Sequence, residues 1–364
     1  MKRYLLNVVA MLGLIILGVS CAYVAEIAEE RPVPSLKEVF KDYFPIGVSI
    51  GIPMISTPQF RDFLLKQFNS VTAENQMKMN GLHPSDGMFH FDNADRIVNF
   101  ALQNNIKVRG HTLIWHGSTP EGFFFGNDMK PLDKELLLKK MENYIKTVVG
   151  HFKGRVYCWD VVNEAVADGV ENFRRSMWLK YIGKDYVEKA FRWAHEADPG
   201  ALLFYNDYNA IIPGKRQKIY NLIKRLKKKG VPIHGVGIQG HWYLNWPPIH
   251  DVKSAIKIYA SLGVEVQITE MDISFYSWED RSSRYRRLTD RMEVRQAKRY
   301  KELFEVFRKY PDVITGVTLW GLYDGHTWLD FFPVKGRKNW PLLFDVGLEP
   351  KKAFWEIVEF RNRL

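Results

Sequence analysis

Residues 133–164 read DKELLLKKMENYIKTVVGHFKGRVYCWDVVNE, and the order of signals in that stretch decides the fold. Asp133 can cap a helix, because its carboxylate accepts from the free amides of a first turn. Leu137, Leu138, Met141, Tyr144, Ile145 and Val148 then fall on one helical face, and Gly150 stops the run. From Val156 to Asn163 the pattern changes to a short apolar run, the signature of a buried strand, and it closes on a polar pair, Asn163-Glu164. Helix, turn and buried strand form one unit of an alternating α/β chain.

Outward from this unit, comparable strands are predicted at 46–52, 70–73, 107–115, 202–206, 235–239, 264–269 and 314–320, eight in all. Further helical patterns carry Ala297, Tyr300, Phe304, Phe307 and Tyr310 before Pro311, and run from Lys351 to Phe360. Strands separated by helices pair in parallel, and eight such units imply a single (β/α)8 TIM barrel of the α/β class. No repeat, low-complexity tract or Gly/Ser linker follows residue 35, so 36–364 is expected to be one barrel domain.

The amino terminus has a different character. Lys2 and Arg3 precede an apolar run from Val8 to Val19, too short for a comfortable membrane span but shaped like an export signal. Residues 1–21 are therefore read as a targeting segment and 22–35 as a connector. Cleavage after Ala22 is one reading. Lipidation at Cys21 in Gly18-Val19-Ser20-Cys21 is the other, although Leu17 lies one place too early for that signal. Either makes the protein exported: secreted, periplasmic or an outer-surface lipoprotein, touching membrane only through a lipid on Cys21. Cys158 is then left alone, so no internal disulfide is expected, and its apolar strand makes it a buried core residue.

The formal charge of +11 raises the question of nucleic acid, most sharply at Lys224-Arg225-Leu226-Lys227-Lys228-Lys229. Ile219, Leu222, Ile223 and Leu226 repeat there at helical spacing and Gly230 follows, so the run reads as a solvated helix end favoured by the helix dipole. No nucleic-acid partner is expected, while a basic surface would favour acidic glycans. The aromatic content of 14% suits sugar platforms without proving them.

Barrel active sites form at the carboxyl ends of the strands. Those ends read Thr72-Ala73-Glu74-Asn75 with Lys78, Arg109 to His116, Trp159 to Glu164, Asn206 to Asn209, Gln239 to Trp242, Thr269 to Asp272 and Trp320 to Trp328. Polar groups at one end of apolar strands are costly unless they serve each other or a ligand. Glu164 and Glu270 close the fourth and seventh predicted strands, which face each other across an eight-stranded ring. Two facing carboxyl groups suit glycosidic cleavage, one protonating the leaving oxygen and the other attacking the anomeric carbon; a separation of about 5–5.5 Å would make the reaction retaining.

These blocks, in this order, resemble those of the family 10 glycoside hydrolases, the endo-β-1,4-xylanases, over roughly residues 36–360. The resemblance implies retaining hydrolysis of xylan through a covalent glycosyl-enzyme, with Glu270 as nucleophile and Glu164 as acid/base. His241 and Asp272 would support the nucleophile, and Asn163 would bond the 2-hydroxyl of the attacked sugar. His111, Trp115, Gln239 and His241 would line the cleaved subsite, and Glu74, Asn75 and Lys78 the next one toward the non-reducing end. Trp320 and Trp328 would form floor and lid, crowding the sugar C5 position in favour of xylose. The chain departs from the family at Gly122, where Trp is common, and at Gln76 and Asn80; these changes bear on loops and outer subsites.

His111, His116 and His241 lack compact ligand spacing, so no catalytic metal is expected. Gly235-Val236-Gly237-Ile238-Gln239-Gly240 matches a dinucleotide fingerprint in letters but opens no helix, and no organic cofactor is expected. The expected partner is xylan or its oligosaccharides, met by a monomer. Two other readings stand beside this one: a retaining β-1,4- or mixed-linkage glucanase on the same barrel, and a non-catalytic glycan-binding surface protein. Retention of both glutamates speaks against the latter.

Overall fold

Among the described residues nine strands form, all paired in parallel: β1 (Ile46–Ile50), β2 (Ser70–Ala73), β3 (Lys107–Trp115), β4 (Cys158–Asn163), β5 (Leu202–Asp207), β6 (Gly235–Ile238), β7 (His241–Tyr243), β8 (Glu265–Ser274) and β9 (Ile314–Leu319). Eight of them close a barrel: β1 pairs with both β2 and β9, and β6 pairs with β8, Gly235 opposite Glu265. Helices cover the outside, as parallel sheets require. The expected (β/α)8 barrel is the fold. This computed structural model describes residues 31–85 and 87–360; the export signal read into 1–21 and most of the 22–35 connector lie outside the described residues.

The helix after Asp133 spans Lys134–His151, and the Asp133 side chain accepts from the Leu136 amide at 2.8 Å. The basic run does end a helix, Pro213–Lys228, which buries Ile219, Leu222, Ile223 and Leu226 against the barrel. Large rings fill the interior where small residues yield space. A Cβ on Gly110 would lie 2.2 Å from the Trp159 ring, and one on Gly235 would lie 2.0 Å from Phe204. Cys158 is a buried free thiol, pushed up to about 11 by desolvation.

Two differences from the predicted strands matter for the site. The sixth stops at Ile238; Gly240, at φ +85°, then turns the chain into the short β7, which pairs His241 with Asp272 of β8. The seventh, expected to end at Thr269, continues to Ser274. Its polar residues keep the strand because their partners are site side chains rather than solvent, a circumstance that local polarity does not signal.

Candidate active site

Glu270 lies within β8 and is 5% exposed. Its Oε1 accepts from Asn206 Nδ2 at 2.7 Å, and its Oε2 lies 3.1 Å from His241 Nε2. The other imidazole nitrogen, Nδ1, lies 3.0 Å from Asp272 Oδ2. Burial alone would discharge this histidine, but Asp272 and Glu270 hold it protonated, with its pKa raised to about 10. Burial likewise opposes the Glu270 anion, yet His111, His241 and Asn206 bring its pKa down to about 2. Glu270 is therefore a fixed, fully ionised carboxylate, suited to attack.

His111 Nδ1 sits 4.0 Å from Glu270 Oε1 and 2.9 Å from Asp160 Oδ2. Asp160 is itself clasped by Arg109, both side chains 1% exposed, with the Arg109 Nε bond at 3.1 Å. A buried ion pair at the barrel centre thus carries the histidine that faces the nucleophile.

Glu164 follows β4 directly and is more accessible. Trp115 Nε1 donates to its Oε2 at 2.9 Å and Gln239 Nε2 to its Oε1 at 2.9 Å, leaving lone pairs for a proton on the cleft side. Its backbone adopts φ +58°, a conformation few non-glycine residues hold without support. The Glu164 amide donates to the Asn206 carbonyl at 2.9 Å, and Arg174 Nε donates to the Glu164 carbonyl at 2.9 Å. Arg174 in turn donates to the Tyr208 hydroxyl at 2.5 Å, which bonds Asp168. Lys215 joins Asp168 at 3.0 Å to buried Asp207 at 2.7 Å. Desolvation pushes the Asp207 carboxyl up to about 7 against the pull of Lys215.

Three amides connect the two halves. Asn163 Oδ1 accepts from Asn206 Nδ2 at 3.0 Å and from Gln239 Nε2 at 3.2 Å, while Asn163 Nδ2 donates to Glu164 Oε1 at 3.4 Å. At one side of the cleft Lys78 bonds Asn75 at 3.1 Å and lies 5.2 Å from the Trp115 ring and 6.0 Å from that of Trp320. Burial lowers the Lys78 pKa, opposed by the charges of Glu270, Glu74 and Glu164. Glu74 sits 3.5 Å from His326. Trp320 is 7% exposed and meets the rings of His111 and His241 edge-on. Trp328 covers His241 at 4.8 Å between centroids and donates from Nε1 to Asp272 at 2.8 Å.

All thirteen residues singled out in the sequence therefore sit at this one barrel end or in direct contact with residues that do. Asp272 does not touch Glu270 but acts through His241. Two contributors went unread: Asn206 as a direct partner of Glu270, and the Arg174–Tyr208–Asp168 relay behind Glu164. Asn206 had a signal, an amide at a strand end. Tyr208 falls in the strand-end block 206–209, whereas Asp168 and Arg174 lie in the loop after β4 with no such signal. Among the described residues no group of three His, Cys, Asp or Glu is arranged to hold a metal ion. A Cβ on Gly122 would meet nothing within 4 Å, so a side chain at this position would project into open space.

Comparison with known proteins follows the same line. The model for Glycosyl hydrolase family 10 matches residues 35–360. A β-1,4-xylanase of Dictyoglomus thermophilum is 51% identical over 354 residues, 97% of this chain and 98% of that one. The crystal structure of xylanase XynB from Paenibacillus barcinonensis, bound to a conduramine derivative, superposes with a TM-score of 0.87 at 46% identity, covering 90% of this chain and 98% of its own. A mutant structure in complex with xylotriose aligns with a TM-score of 0.86 at 47% identity, over 90% of this chain and 99% of the other.

Proposed function

The chain belongs to glycosyl hydrolase family 10, and on that premise we infer that it is an endo-β-1,4-xylanase acting with retention of anomeric configuration. In the first step a Glu270 oxygen bonds to the anomeric carbon of the bound xylosyl unit as the glycosidic C–O bond breaks. The proton of Glu164 passes to the departing oxygen. In the second step Glu164, now a carboxylate, takes a proton from water, the water oxygen attacks the anomeric carbon, and the bond to Glu270 breaks with its electrons returning to the carboxylate. Two displacements at one carbon restore its configuration.

The observation that carries this reading is the unequal treatment of the two glutamates. Glu270 is buried and held ionised by His111, His241 and Asn206, while Glu164 stands at the cleft, steadied by N–H donors from Trp115, Gln239 and Asn163. The environment of Lys78 between Trp115 and Trp320 supports a sugar subsite with Glu74 and Asn75. The Asp272 bond that fixes Trp328 over His241 supports a lid that crowds a hydroxymethyl arm and so favours xylose over glucose. The amino-terminal segment is proposed to direct export, which places the enzyme where the polymer is. Xylan is the substrate, and the assay is reducing-sugar release from xylan beside carboxymethylcellulose. Release from xylan is expected; preferential release from the cellulose derivative would assign a glucanase instead.

A further inference from the structure

The aromatic surface does not end at Trp328. Phe332 stacks on the Trp328 ring at 5.6 Å and 13°, and Trp278 lies 5.8 Å from Trp328 and 6.5 Å from Phe332. Phe331 and Phe332 nevertheless remain 68% and 56% exposed. Contiguous exposed rings forgo burial energy and mark a surface that something else covers. The ledge is preformed: Arg337, 1% exposed, lies 4.1 Å over the Tyr276 ring and donates to the carbonyls of Asp280 at 2.6 Å and Ser282 at 3.5 Å, tying the loop after β8 to the loop after β9.

The same loop after β8 holds Arg281, Arg284, Arg286 and Arg287 within seven residues. Arg284 pairs with Asp280 at 2.7 Å. Arg281, Arg286 and Arg287 are exposed and make no ion pair among the described residues. Burial lowers the Arg337 pKa, Asp280 opposes that shift and Arg281 adds to it, and Arg337 makes no ion pair among the described residues. Four arginines against Glu279 and Asp280 leave residues 279–287 net positive, which favours an anion nearby, and the planar guanidinium fits a carboxylate well.

We propose, resting on the xylanase reading, that this ledge is a recognition surface for acidic xylan. The sugar faces of the chain lie on Phe331 and Phe332, and carboxylates of uronic acid branches meet Arg281, Arg286 and Arg287. Continuity through Trp328 to His241 makes the ledge an extension of the catalytic cleft, and the net charge of +11 draws an anionic polymer toward it.

The test compares kcat/KM of the full chain and of the combined Arg281→Gln, Arg286→Gln, Arg287→Gln variant on a neutral linear xylo-oligosaccharide and on one of equal backbone length bearing a glucuronate branch. An exposed charge pair changes such constants by about two- to five-fold, so the acidic-to-neutral ratio should fall by about ten-fold in the variant at low salt. Adding about 0.5 M salt should lower the parent's ratio in the same direction. An unchanged ratio, or equal losses on both substrates, overturns the proposal while leaving the xylanase reading intact. No cleavage of the neutral substrate by the parent would instead overturn the xylanase reading itself. Phe331→Ala, which leaves the Phe332–Trp328 stack in place, should slow cleavage of the branched chain by about two- to ten-fold while sparing a short aryl xyloside; no difference would remove that ring from the surface.

Discussion

Asn206 reaches Glu270 across 64 residues of sequence, donating from Nδ2 to Oε1 at 2.7 Å. The same amide nitrogen donates to Asn163, and its oxygen accepts from Thr269 at 2.7 Å, so Asn206 is held from both sides. A hydrogen bond to a buried charge is worth about 1.5–3 kcal/mol, so Asn206→Ala should lower kcat by about ten- to a hundred-fold on an activated xyloside. A loss below two-fold would show that the nucleophile does not depend on this contact.

Deletion of the glutamates themselves should separate their roles. Glu270→Ala should leave almost no turnover on any substrate, because no covalent intermediate can form. Glu164→Ala should spare substrates with good leaving groups and cost xylan about 10²–10⁴-fold, the usual worth of general acid help. Equal losses on both substrate types would contradict the acid role.

The His241–Glu270–Asp272 chain also sets a pH dependence of stability. Glu270, lowered from 4.5 to about 2, contributes stability present above its unfolded value and lost as pH falls toward 2. His241, raised from 6.5 to about 10, contributes stability present below its unfolded value and lost as pH rises through 10. The parent should therefore lose more Tm between about pH 6 and about pH 10 than the His241→Gln variant does. Parallel Tm profiles would show that the histidine is neutral in the folded protein.

Asp160 gives the structural counterpart. It is enclosed with Arg109, and removing it strands a buried guanidinium. Asp160→Ala should cost about 3–5 kcal/mol in urea unfolding. A cost below about 1 kcal/mol would mean that Gln267, which accepts from Arg109 at 2.7 Å, suffices alone.

Much of this was legible in the chain. Helical spacing after Asp133 and the apolar runs gave the barrel, because buried parallel strands and amphipathic helices leave strong local patterns. The site was legible because its polar residues fall at strand ends. What sequence did not give was pairing. Local polarity ended β8 at Thr269, whereas Glu270 and Asp272 continue the strand to reach partners on β5 and β7. Arg174 has no pattern that announces its carbonyl contact to Glu164, ten residues away through a loop. Such contacts depend on loop closure in three dimensions.

The central claim, attack by Glu270 with formation of a glycosyl-enzyme, is tested most directly by mass spectrometry after brief reaction with an activated 2-deoxy-2-fluoro-xylobioside. The account predicts one added glycosyl group, on the peptide that contains Glu270 and at that residue. No adduct together with release of the α-anomeric product, or an adduct on any other residue, would contradict it.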